Sequence, residues 1–258
     1  MKRRIFFIIL SFLIPASLAL TAPSAKDIFS GACLFYEKGD YKAAIKEYDR
    51  ILDMGYESGQ LYYNLGNSYF KDGQLGMAVL NYKRAKNFMP RDGDLESNYR
   101  HVLFRLRYPA APKPEILPLR IFNNLALYFT VNELAIFLAV LFFVFIATVL
   151  SHLYFHRIKA YFAVAVAAIL ILFALAVSLA VEKALSISRE AVVVDKEADS
   201  KFEPFERATT HFKLYEGLTV SILDSKPPWY KIRRPDGKAG WVKKSALRRI
   251  KPQKEKAL

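Results

Sequence analysis

LAIFLAVLFFVFIATVLSHLYF (134–155) and AYFAVAVAAILILFALAVSLAV (160–181) are two apolar runs of 22 residues each, separated only by His156-Arg157-Ile158-Lys159. At about 1.5 Å of helical rise per residue, each run reaches roughly 33 Å, enough to cross a hydrocarbon core of about 30 Å. A four-residue link is too short to be a domain, so the runs predict an antiparallel two-helix transmembrane hairpin. The segments before and after it then share one side of the membrane. Neither run holds an aspartate, glutamate, lysine or arginine, which points to an anchor and away from a transport pathway or proton relay.

The amino-terminal residues suggest which side that is. Lys2-Arg3-Arg4 precedes an apolar stretch from Ile5 to Ile14, a break at Pro15, and the small residues Ala16, Ser17, Ala19, Ala22 and Ala25. This is the three-part pattern of a secretory signal, expected over residues 1–25 with cleavage between Ala19 and Ala25. Retained as an anchor instead, it would keep its basic flank in the cytoplasm all the same. Either way residues 26–133 are expected outside, residues 156–159 form a cytoplasmic turn, and the carboxyl-terminal part returns outward. The expected location is a bacterial inner membrane with both soluble modules periplasmic.

The formal charge of +14 includes the basic leader and a tail, residues 251–258, with Lys251, Lys254 and Lys256. An exported, tethered chain meets anionic lipid, cell wall and acidic proteins, so nucleic acid is not an expected partner. The single cysteine, Cys33, rules out an internal disulfide framework. Ser30-Gly31-Ala32-Cys33 lacks the leucine of a lipoprotein box, and a cysteine packed within a helix is expected.

Residues 26–58 and 60–92 repeat one another: Gly39 and Gly73, Ala44 and Ala78, and Tyr48 and Tyr82 each lie 34 apart. The second copy reads Leu61-Tyr-Tyr-Asn-Leu-Gly66-Asn-Ser-Tyr69-Phe, then Gly73, Ala78, Tyr82, Ala85 and Pro90. Gly66 and Ala78 are small where two helices cross, Tyr69 and Tyr82 fill the space beside them, and Gly73 permits the turn. Asp94 to Arg107 predicts a further, capping helix with Leu95, Tyr99, Val102, Leu103 and Leu106 on one side. In spacing and residue type the copies resemble the tetratricopeptide family. The first copy departs from it, with Gly31-Ala32 in place of Leu-Gly and no closing proline. That resemblance implies an all-α tetratricopeptide solenoid over 26–108, with a protein segment bound in the groove lined by the first helix of each pair. By register the partner-binding candidates are Phe29, Tyr63, Asn64, Asn67, Lys71 and Asn98. A carboxamide both donates to and accepts from a peptide backbone, although asparagines there also suit a merely solvated concave face.

A proline-rich linker, Tyr108 to Glu115, leads to Leu117–Thr130, where apolar residues mix with Arg120, Asn123 and Asn124; over 109–133 we expect a linker and an interfacial helix lying along the bilayer. In the second span Ala163, Ala167 and Ala174 fall near one face and are expected to let its partner approach. Residues 190–250 alternate instead: Ala191–Val194, Gly217–Leu223, and Trp229–Arg233 with Gly240–Val242 around the turn Pro235-Asp-Gly-Lys238. A short Ser245–Leu247 turn precedes a last strand, Arg248 to Ile250. The order resembles the bacterial SH3-like family and implies a small all-β SH3-like barrel with Trp229, Tyr230 and Trp241 as its candidate binding surface. Trp241 also suits the core of so small a barrel.

The expected fold class is thus a multidomain membrane protein: a solenoid, a two-helix membrane hairpin and a barrel. This order resembles the BatE-like proteins of the Bacteroides aerotolerance (Bat) operon family. Membership would imply partnership with other Bat-type membrane proteins in a complex linked to stress tolerance or envelope integrity. His101, His152, His156 and His211 are scattered, no metal-ligand spacing or phosphate-cradling glycine loop is present, and neither an enzyme nor a cofactor is expected. Two functions remain open: a periplasmic scaffold or adaptor gripping a partner protein, and a peptidoglycan-binding tether or envelope sensor acting through the SH3-like domain.

Overall fold

The computed structural model describes residues 23–106, 116–154 and 159–251. The expected signal, the proline-rich linker, most of the turn at 156–159 and the tail beyond Lys251 lie outside the described residues.

Three helices start in phase. Ser24, Ser58 and Asp92, each 34 residues from the next, cap α1 (Ala25–Glu37), α3 (Gly59–Lys71) and α5 (Gly93–Arg105). Each side chain accepts the backbone N–H three residues on, at 3.2, 3.1 and 2.8 Å. Such caps stabilise a helix by about 1 kcal/mol each. Gly39 and Gly73, at φ +81° and +84°, turn the chain out of α1 and α3 in the left-handed conformation that suits glycine. Those turns lead into α2 (Tyr41–Asp53) and α4 (Leu75–Phe88). The result is a helical repeat of 34 residues, and α5 occupies the first-helix position of a third round. Gly66 is small for the reason expected: a Cβ there would stand 2.7 Å from the Tyr82 ring.

Beyond the array come α6 (Leu117–Tyr128), α7 (Val131–Tyr154) and α8 (Lys159–Arg189). The last two pack on each other and are long and apolar enough to cross a membrane. Only 11% of either apolar stretch is buried, so neither is the core helix of a soluble domain. α6 lies across the end of the pair, where Ala126, Leu134 and Leu179 form a small core with Phe122, Phe129 and Ala180. The alanine seam does not form as expected. Ala163, Ala167 and Ala174 are exposed, while the covered positions of α8 include Phe162, Ala165, Val166, Ile169, Ala176 and Leu179. Near the turn His152 stacks on Phe162 at 3.9 Å.

The expected fold class is corrected at its last element: the carboxyl-terminal part is not a closed SH3-like barrel standing as a separate module. It is an open, seven-stranded antiparallel sheet joined to the helical part. Its strands are β1 (Glu190–Val193), β2 (Glu197–Lys201), β3 (Thr210–Tyr215), β4 (Thr219–Lys226), β5 (Trp229–Arg233), β6 (Ala239–Lys243) and β7 (Leu247–Arg249), in the order β3-β2-β6-β5-β4-β1-β7. The β5–β6 hairpin forms around Pro235–Lys238 as expected, with Gly237 at φ +92°. Closure would require β7 to pair with β3. Instead β7 abuts the helices: Arg84 of α4 donates to the carbonyls of Ile250 (2.9 Å) and Arg249 (3.1 Å), and Arg249 donates to Ser188 O at 2.6 Å. A side-chain cover of this kind is one way an edge strand is kept from further pairing.

The junction is extensive. Val192 and Ile250 belong to the same core as Val79, Leu80 and Val102. Lys83 pairs with Glu190 at 2.5 Å, both side chains being largely covered. Burial acts to raise the Glu190 carboxyl, but the adjacent Lys83 ammonium and hydrogen bonds from Lys83 and Ser186 outweigh it and hold the group below the ordinary glutamate range. Arg91 pairs with Glu133 and lies over the Tyr128 ring, tying the α4–α5 turn to the start of α7. α8 runs into β1 with no residue between Arg189 and Glu190, so the sheet directly extends the long apolar helix.

Candidate functional site

Helices α3, α4 and α5 contribute side chains to one polar layer, and α1 faces it with Tyr36. Asn98 Nδ2 donates to Tyr63 Oη at 2.8 Å and to Asn67 Oδ1 at 3.1 Å. The same Asn67 oxygen accepts from Tyr82 Oη at 2.6 Å. Burial, with Tyr63 and Tyr36 close by, pushes the Tyr82 phenol up, so it remains a protonated donor. The layer floors a pocket of about 160 Å³ lined by Tyr36, Asn67, Phe70, Lys71, Tyr82, Asn98 and His101.

Of the six sequence candidates, the structure brings Asn67, Lys71 and Asn98 to this pocket and sets Tyr63 beneath it. Asn64 lies apart. Its Oδ1 accepts from Gln60 at 3.0 Å, and its Nδ2 stands 3.8 Å from Cys33 Sγ, which in turn lies 3.3 Å from Tyr48 Oη. Cys33 is accordingly half-buried within helical packing, as expected. Phe29 packs edge-on against Tyr48 at 5.6 Å and serves the core of the first helix pair.

Tyr36, Phe70, Tyr82 and His101 also line the pocket but were not among the sequence candidates. Tyr36, Phe70 and His101 were findable, because 36, 70 and 104 are in repeat register and 67 and 101 likewise differ by 34. Tyr82 reads as a packing residue from sequence, and only its hydroxyl direction reveals the second role.

The chemistry available is hydrogen bonding of a backbone. With Asn67 Oδ1 and Asn98 Nδ2 committed to each other, Asn67 Nδ2 and Asn98 Oδ1 remain as a neighbouring donor and acceptor. That pair matches a peptide C=O and N–H. Lys71 and His101 are exposed at the rim, and His101 stands edge-on to Phe70 at 5.4 Å. Among the described residues no group of three or more His, Cys, Asp or Glu side chains is placed to hold a metal ion.

The sheet offers a different picture from the expected aromatic surface. Trp229, Tyr230 and Trp241 are only 4%, 8% and 7% exposed. Tyr230 belongs to the core of the sheet. Trp229 and Trp241 lie on the opposite face, where alternation places them beside Lys243 and Lys231 of the paired strands. Lys226 and Lys231 lie over Trp241 at 5.5 and 6.0 Å, and Lys243 lies over Trp229 at 6.0 Å. The lysine stems cover the indoles and leave their ammonium groups outward. A wall ligand stacking on bare tryptophan has no surface there.

No protein-family model matches the chain, and no curated protein matches it.

Proposed function

We propose that this protein is a bacterial inner-membrane scaffold that grips an extended segment of a partner protein in the α1–α3–α5 groove on the periplasmic side. One observation carries the proposal: the Asn67–Asn98 pair is fixed by Tyr63 and Tyr82 with one amide donor and one acceptor left for a ligand. Preorganised groups bind with less ordering cost than free ones. The 34-residue periodicity, which resembles the tetratricopeptide family, supports a peptide ligand. The likeness to the Bat operon family supports partners among Bat-type membrane proteins, in a complex serving stress tolerance or envelope integrity. The role is adaptor and not catalyst.

A photocrosslinker placed at His101 in living cells tests the groove. The expected result is a discrete adduct, identified by mass spectrometry, that disappears on Asn98→Ala and is absent when the crosslinker sits at Arg50. Equal labelling from Arg50, or none from His101, would sink the proposal. Orientation has its own test: a reporter active only in the periplasm must work when fused after Lys254 and fail when inserted at Arg157.

A further inference from the structure

Lys183 is a buried cation that forms no direct ion pair among the described residues, although its charge helps to hold Glu190 ionised. It is 2% exposed, and its Nζ lies 3.5 Å from one neutral acceptor, the carbonyl of Leu127. Glu190 directs its hydrogen bonds elsewhere: Oε2 holds Lys83 at 2.5 Å and Oε1 accepts from Ser186 at 2.8 Å. Lys86, on the same wall, is held by Glu96 at 2.7 Å. A desolvated ammonium with so weak a partner is costly, and an anion placed beside it removes that cost.

Space for the anion exists. Lys183 lines a cavity of about 240 Å³ together with Lys83, Lys86, Tyr99, Ser186 and Glu190. It also lines an adjoining cleft of about 490 Å³ between α6 and α8, where Arg189 and Arg233 add positive charge against Glu182 and the Lys83-paired Glu190. The depth of the site names the ligand. Lys183 stands one helical turn beyond Leu179, which packs with Ala126 and Leu134 where α6 meets the end of the apolar pair. Leu119, Ile121, Leu125 and Leu127 of α6 expose apolar side chains there, as an interfacial helix does. With α7 and α8 in a bilayer, Lys183 sits at the level of the lipid phosphates.

We propose that Lys183 anchors a site for the phosphate of an anionic lipid headgroup, which enters through the cleft between α6 and α8. The inference rests on α7 and α8 spanning a bilayer, and the reporter fusions test that separately; failure here leaves their pattern intact. Phosphatidylglycerol carries one net negative charge, whereas phosphatidylcholine carries the same phosphate with a compensating cation, and only the first neutralises Lys183.

The test is a lipid titration of the full-length protein in detergent, read by native mass spectrometry, with phosphatidylglycerol, phosphatidylcholine and inorganic phosphate as separate arms. The expected result is a preference for phosphatidylglycerol over phosphatidylcholine of about tenfold, as for one charge-assisted contact. That preference should vanish in Lys183→Met and survive in Lys183→Arg. Equal binding of the two lipids by the wild-type protein overturns the proposal whether or not the variants fold, and so does a preference unchanged in Lys183→Met. Displacement of phosphatidylglycerol by millimolar inorganic phosphate overturns the lipid assignment in favour of a free phosphate.

Discussion

Glu216, in the turn between β3 and β4, caps helix α4 from 140 residues away: its Oε1 accepts the Gly76 backbone N–H at 2.7 Å. The local cap residue, Gln74, spends its amide on Asp72 at 2.7 Å and makes no side-chain bond to the helix start, so the sheet supplies what the repeat does not. The approach is close, since a Cβ on Gly76 would stand 2.8 Å from Glu216 Cγ and from Val193 O. Glu216→Ala removes both the acceptor and the negative charge at a helix start and should destabilise the protein by about 1 kcal/mol. Glu216→Gln keeps an acceptor and should cost less. Thermal unfolding in detergent measures both, and equal effects would mean that the contact is not a cap.

The two second helices of the repeat differ in what covers them. Lys46 of α2 is exposed, whereas Leu80, 34 residues on in α4, is buried with Val79 under the sheet. Lys46→Leu should therefore change stability by no more than about 0.5 kcal/mol. Leu80→Lys drives a charge into that contact and should cost about 3–5 kcal/mol. Chemical denaturation compares the pair; a tolerated Leu80→Lys would show that the sheet does not rest on α4.

Protonation state should govern the same junction through Lys83 and Glu190. Glu190 is held below its ordinary value of 4.5, so its stabilising effect is complete above that pH and is lost as the pH falls through the lower, folded-state value. For Lys83, burial favours the neutral form, but Glu190 outweighs it and holds the ammonium above its ordinary 10.5; that contribution is lost only as the pH rises through the still higher folded value. Between these limits the joint should be insensitive to pH. Glu190→Gln should lower stability by about 1–3 kcal/mol at neutral pH and flatten the acid limb of the melting curve. An unchanged acid limb would assign it to other carboxylates.

Fluorescence offers a direct check on the sheet, because the chain holds two tryptophans, both buried beneath lysine side chains. The folded protein should emit at short wavelength and resist quenching by acrylamide. Lys226→Ala together with Lys231→Ala should shift the emission to the red by uncovering Trp241. Solvent-like emission from the folded wild-type protein would contradict the packing.

Periodicity made much of the architecture readable. The 34-residue spacing located α1 to α5, the apolar runs located α7 and α8, alternation found β1, β4, β5 and β6, and the family likeness added β7. β2 escaped because Glu197-Ala-Asp-Ser-Lys201 has no apolar alternation: it takes its strand conformation from pairing with Leu214, Lys213 and Phe212 of β3, a strand whose own short alternation, Phe212 and Leu214, was overlooked. The closed barrel was a misreading of family likeness, since strand order along the chain does not say whether the last edge meets the first or a helix. A signal for the helix was present in the substitution of Lys46 by Leu80 between the two repeats, which marks α4 as covered on two faces. In the groove, register picked out Asn67 and Asn98, which the structure brings to one pocket. It missed Tyr82, whose ring is core and whose hydroxyl is not, and it overrated Asn64, whose amide turns toward Cys33 and Gln60.

The seamless passage from α8 into β1 sets a stand-off height. From Val181 to Arg189 the helix rises only about 12 Å, and no slack chain follows it. With the hairpin in a bilayer, the sheet and the groove docked on it work at a fixed level just above the lipid. A flexible tether would let them sample a wide volume and meet soluble partners. A rigid post would raise the effective concentration only for segments held at that same level, so under the proposed function it would favour partners that are themselves bound to the membrane.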